Sequence, residues 1–154
     1  MSLQRAMVMT FLCVLAGTAT ASGGPPAGTK SADLVKAEKL IRAEKWDEAV
    51  PVLESAAQSE PSNADVFNWL GYVERHRGNM DASFAHYEKA LQLDPKHRGA
   101  HEYVGEAYLL VGNLEKAREH LATLQKLCGT RCEEYKDLKK DIEEYAAEHA
   151  STAP

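Results

Sequence analysis

Cys128-Gly129-Thr130-Arg131-Cys132 is the one place in this chain where residue types and spacing suggest chemistry. Two cysteines four apart, with a glycine between them to turn the chain, suit three uses. They can close a structural disulfide, cycle as a reactive thiol pair, or hold a soft metal such as copper. The missing histidine after the second cysteine excludes covalent haem attachment. In an exported chain the disulfide is the simplest use, and its work would be to fix the angle of the final segment. Other candidates fall away. His76, His86, His97, His101, His120 and His149 are scattered along the sequence and read as no metal site, since two histidines without a third ligand hold metal poorly. Glu133-Glu134 and Glu143-Glu144 are adjacent pairs that point to different sides of a helix, as solvated faces rather than acid–base dyads. No phosphate-binding loop, nucleophile elbow, zinc-protease motif or dinucleotide turn occurs. A non-enzyme with no cofactor and no metal is expected.

The elements that carry these residues repeat. Pro61, Pro95 and Gly129 stand 34 residues apart, as do Ala37, Gly71 and Gly105, then Ala49, Ser83 and Ala117, then Leu53, Tyr87 and Leu121. Within one period, Phe67, Leu70, Gly71 and Val73-Glu74 form one helical face. Gly78-Asn79 ends that helix, Asp81 is the expected cap of the next, and Phe84, Tyr87, Ala90 and Leu91 form its buried side. Asp94-Pro95 closes the unit, because a residue before proline avoids helical geometry. The small residues let paired helices approach closely. Each pair leaves an apolar face that the next pair covers, so about three units are needed for stability.

These motifs resemble the tetratricopeptide repeat. The middle copy reads Phe67-x2-Leu70-Gly71, Gly78-Asn79, Ser83-x3-Tyr87, Ala90 and Asp94-Pro95. The third reads Val104-Gly105-x2-Tyr108, Gly112-Asn113, Ala117-x3-Leu121 and Leu124. The first is degenerate: Ala37-x2-Leu40, Trp46, Ala49-x3-Leu53, Ala56 and Pro61. The resemblance implies an all-α, right-handed superhelix of three repeats (about 30–63, 64–97 and 98–131, within 32–128). A capping helix over 133–149 would cover the last face with Tyr135, Leu138, Ile142 and Tyr145, leaving Lys136, Lys139, Lys140, Asp141 and Glu144 outward. Glu74 and Arg77 depart from the pattern. Either they form a partly buried ion pair, or that helix is rotated to bring Tyr72 and Val73 inward. Asp33 and Lys36 at core-type positions mark the first repeat as a polar end cap.

The same resemblance implies a concave binding face lined by the first helix of each repeat. Carried over by position, it comprises Leu34, Glu38 and Ile41, then Asp65, Asn68, Tyr72, Arg75 and His76, then Glu102, Glu106 and Leu109. The core of the candidate site is Glu38, Asn68, Tyr72, Arg75, His76, Glu102 and Glu106. Glu38, Glu102 and Glu106 stand where relatives that grip a chain-end carboxylate carry a basic clamp, so a basic or apolar partner segment is expected instead. The implied function is a non-catalytic protein–protein scaffold or adaptor of the cell envelope. The alternative is a thiol-redox or copper-handling module built on Cys128 and Cys132.

The flanks set the location. Arg5, the apolar run Ala6–Gly17 and Ala19-Thr20-Ala21 read as a signal peptide over 1–21, with an uncleaved anchor as the alternative. Cys13 follows Leu12 and lies inside the apolar run, which makes a poor lipidation site. A periplasmic or secreted protein, not inserted in the membrane after cleavage, is expected. Residues 22–31 are a glycine- and proline-rich linker expected to be disordered, and the tail from Ala150 is expected to fray. The net charge of −5 argues against a nucleic-acid partner. Self-association through the end helix stays open.

Overall fold

The computed structural model describes residues 30–150, so the expected signal peptide, most of the linker and the last four residues lie outside it. Seven helices follow one another: α1 (Ala32–Arg42), α2 (Trp46–Ser59), α3 (Ala64–His76), α4 (Met80–Leu93), α5 (Arg98–Leu110), α6 (Leu114–Cys128) and α7 (Glu133–Ala150). No strand occurs among the described residues. The pairs α1/α2, α3/α4 and α5/α6 stack as a short right-handed superhelix, and α7 covers the open side of the third pair.

Glycine permits the close approaches. A Cβ on Gly71 would stand 2.6 Å from the ring of Tyr87, which is fully buried. One on Gly105 would stand 2.6 Å from Leu138, so this glycine admits α7 rather than its own partner helix. Ser83 donates its hydroxyl to the Gly71 carbonyl at 2.8 Å and ties the two middle helices together. The turn inside each pair needs a left-handed residue. Glu44, Gly78 and Gly112 fill that place with φ of 54°, 81° and 77°, at the 34-residue spacing. The first repeat thus puts a glutamate where the others use glycine.

Several local expectations change. Ser31, expected in the linker, caps α1 by accepting from the Leu34 amide. Lys30 beside it pairs with Glu38. Asp81 lies in the first turn of α4 but does not cap it. Asn79 holds the cap position, and its amide is drawn away to Glu74, 2.6 Å distant. Glu74 and Arg77 do form the expected ion pair, at 2.8 Å, with Asp47 as a second partner of the arginine. Val73 is buried as well, but Tyr72 is only half-buried, so the helix is not rotated as the alternative required. Leu138 and Ile142 of α7 are buried, with Tyr135 and Tyr145 packed beside them.

Candidate functional site

The first helices of the pairs lie side by side, and α7 rises as a wall beyond α5. Asn68, Tyr72 and Arg75 on α3 face Glu102, Tyr103 and Glu106 on α5 across the groove this forms. An aromatic stack makes the floor. Trp69 meets Tyr72 edge-on at 5.6 Å and Tyr72 meets Tyr103 at 4.9 Å. Trp46 stacks flat on His76 at 4.4 Å. The Arg75 guanidinium lies 5.2 Å from the Tyr72 ring centre and 5.8 Å from that of Tyr103, and it pairs with Glu106. A cation held over π-faces and bonded to a carboxylate is thus built into the groove.

Two clefts open on either side of that pair. One, of about 300 Å³, lies between Arg75, Glu106 and Leu109 and the α7 residues Asp141, Glu144 and Tyr145. The other, of about 420 Å³, is bounded by Asn68 and Trp69, by Gly99, Glu102 and Tyr103, and by Glu134 and Asp137, with Lys30, Asp65 and His97 at its edge. Asp141 and Glu144 therefore line the groove, where the sequence placed them outward. Glu134 also turns to the groove and meets Arg98 at 3.4 Å, so Glu133-Glu134 is not a plain solvated face.

Crowding of acids sets the electrostatics. Burial, then Glu106, Asp137 and Glu134, push the Glu102 carboxyl up to about 8, with only Arg75 opposing. Burial also raises Glu106 against the pull of Arg75, and it raises the phenols of Tyr72 and Tyr103. Asp65 is lowered, chiefly by its hydrogen bond to His97. The His97 Nδ1 accepts from the Ala100 amide at 3.0 Å, so its ring proton sits on Nε2 and is donated to Asp65 at 2.9 Å. Desolvation lowers His76.

Of the expected site residues, Asn68, Tyr72, Arg75, Glu102 and Glu106 meet in one place. His76 sits at the exposed end of α3 against Trp46, and Glu38 on α1 pairs with Lys30. Leu34 and Ile41 are buried core and offer no binding surface. Sequence reasoning passed over Trp69 and Tyr103. Each follows an expected site residue, Asn68 and Glu102, at the same 34-residue spacing, which is the signal that would have found them.

Cys128 and Cys132 come together at the end of α6, with Cα atoms 6.0 Å and sulfur atoms 2.07 Å apart across the Gly129 turn. The Glu134 carboxylate lies within 4.8 Å of both sulfurs. The histidines also need a correction, because two of them do meet. His101 donates from Nε2 to the Pro95 carbonyl at 3.0 Å, and its Nδ1 then accepts from Nδ1 of His120 at 2.9 Å. Burial first, and His101 second, hold His120 down to about 4. No third metal-ligating side chain joins this pair among the described residues.

The sequence pattern of the tetratricopeptide repeat matches residues 34–98 and, in a second form, residues 74–142. The chain belongs to the tetratricopeptide repeat family. A stretch of 58 residues is 34% identical to the probable biofilm formation methyltransferase WspC of Pseudomonas putida, covering 38% of this chain and 14% of that protein. Solved structures share the fold at low identity. The type III secretion translocator chaperone SycD of Yersinia enterocolitica is 18% identical, with a TM-score of 0.67, over 77% of this chain and 83% of that one. The first repeat domain of human RPAP3 is 18% identical with a TM-score of 0.67, over 79% and 94%. PcrH, solved with the chaperone binding region of PopD, is 16% identical with a TM-score of 0.64, over 79% and 91%.

Proposed function

We propose that this protein is a non-catalytic scaffold or adaptor that holds a segment of a partner polypeptide in the groove between α3, α5 and α7. The observation that carries this reading is the groove floor: Trp69, Tyr72 and Tyr103 present π-faces and edges, and carboxylates rise on both sides. Aromatic side chains give large contact area at small entropy loss, and carboxylates select by charge. Three solved neighbours support it. SycD has been solved with a peptide of the translocator YopD, PcrH with a region of PopD, and the first repeat domain of Spaghetti (RPAP3) with an HSP90 peptide. The charge of this groove points away from an acidic ligand and towards a segment with lysine or arginine and apolar side chains. WspC contributes no activity to the reading, since the match spans 14% of its length. The apolar N-terminal run before Ala21 favours an exported setting, periplasmic or secreted.

Selection of random displayed peptides on the folded protein tests this. Enrichment of basic and apolar residues, lost when free peptide competes, is the expected result. Enrichment of acidic peptides would contradict it.

The Cys128–Cys132 pair with Glu134 beside it favours a second reading, a thiol-redox or copper-handling module. Counting free thiols in protein purified under air separates the two. No free thiol, and no easy reduction by glutathione, supports a structural bridge that sets the angle of α7; two titratable thiols or bound copper supports the second reading.

A further inference from the structure

Arg75 shows what chemistry the groove satisfies, and it satisfies only half of it. Glu102 and Glu106 lie one turn apart on α5, beside the same Tyr103 ring. Glu106 has the Arg75 guanidinium. Glu102 has no ion-pair or hydrogen-bond partner among the described residues, and Asp137 of α7, which lines the same cleft, has none either. At the base of this cleft lies Asn68. It is only 4% exposed, and its Oδ1 has no hydrogen-bond partner. Its Nδ2 lies beside Gly99, 3.6 Å from where a Cβ would stand, so the missing side chain keeps the amide open to the cleft. A buried amide left without a partner is destabilising and calls for a ligand.

We propose that the cleft bounded by Asn68, Trp69, Glu102, Tyr103 and Asp137 is a pocket for one lysine or arginine side chain of the partner polypeptide. This rests on the reading of the groove as a partner-holding surface and names the chemistry of its anchor. The cation would sit against the Glu102 and Asp137 carboxylates as Arg75 sits against Glu106. Its methylene stem would lie on the Trp69 and Tyr103 rings, and with the amide turned so that its oxygen takes the Nδ2 place beside Gly99, a donor hydrogen would reach the Asn68 carbonyl oxygen. The cleft, at about 420 Å³, has room for such a side chain. The positive charges already at its edge are engaged elsewhere: Lys30 with Glu38, and Arg98 with Glu134. The raised midpoint of Glu102 agrees with a carboxyl that lacks its counter-charge.

The test is NMR titration with Nα-acetyl-lysine methylamide, and with the uncharged acetyl-norleucine methylamide as control. The lysine probe should shift the Trp69 indole and Asn68 side-chain amide signals saturably, at least about five-fold more tightly than norleucine. Glu102→Gln together with Asp137→Asn should weaken it at least about ten-fold while leaving the helical spectrum intact. Equal response to both probes, or an unchanged titration in the double variant, would overturn the pocket. A separate readout guards the parent reading. A photo-crosslinker at Tyr72 that still captures a partner in the double variant at wild-type yield also overturns the pocket, yet leaves the groove its role. Loss of capture with loss of lysine binding supports both.

Discussion

Replacing Glu102 by glutamine should make the protein more stable while removing its proposed anchor. The carboxyl is half-buried on α5, facing Glu106 and Tyr103 on its own helix, Asp65 and Arg75 on α3, and Glu133, Glu134 and Asp137 on α7, with Lys30 and His97 at the cleft edge. Burial and the surrounding acids raise its midpoint from 4.5 to about 8. The folded protein therefore binds a proton that the unfolded chain has released across this window. Stability from this group is complete below pH 4.5 and is lost as pH rises through about 8. At about 1.4 kcal/mol per pH decade the full span would give roughly 5 kcal/mol, and partial exposure of the side chain brings this to about 1–2 kcal/mol. Glutamine keeps the shape without the charge. Urea unfolding followed by circular dichroism should show Glu102→Gln equal to wild type near pH 4.5 and more stable by that amount near pH 8. A variant that is less stable at pH 8, or gains equally at both ends, would refute the electrostatic account of this cleft.

Other outcomes follow from single contacts. Gly71→Ala forces a Cβ against the rigid, buried Tyr87 ring, whereas Gly105→Ala meets the branched end of Leu138; losses of about 3 and about 1–2 kcal/mol are expected in denaturant melts, in that order. Glu44→Gly relieves a left-handed residue that its 34-residue equivalents fill with glycine, and should raise stability by about 1 kcal/mol in the same assay. His120 titrates near 4 when folded and near 6.5 when unfolded, so the unfolded chain binds the extra proton between these values and stability falls as pH falls through them. Between these values wild type should lose about 1–2 kcal/mol more, after screening, than His120→Gln.

What the sequence made legible was what repeats. The 34-residue spacing exposed the helix pairs, the close approaches at Gly71 and Gly105, and the positions Asn68, Tyr72, Glu102 and Glu106 that meet in the groove. The left-handed Glu44 was readable in the same way, since Gly78 and Gly112 mark its place. The wall of the site was not. Asp137, Asp141 and Glu144 belong to α7, outside any repeat, and the face they present depends on how Leu138 seats on Gly105. Periodicity alone could not fix that rotation. His101 and His120 lie 19 residues apart on neighbouring helices, with no shared register, and only the packing of α5 on α6 joins them. Leu34 erred the other way. It holds the groove position of Asn68 by register, yet in the polar first repeat it is needed for the core.

The central claim is that the concave groove holds a partner chain. Site-specific photo-crosslinking in living cells that express the protein tests it most directly, with the reactive residue at Tyr72 in the groove and a control at the exposed Ala85 on α4. The account predicts a discrete heavier adduct from Tyr72 alone, diminished by excess basic peptide. An adduct of equal yield from Ala85, or none from Tyr72, would contradict it.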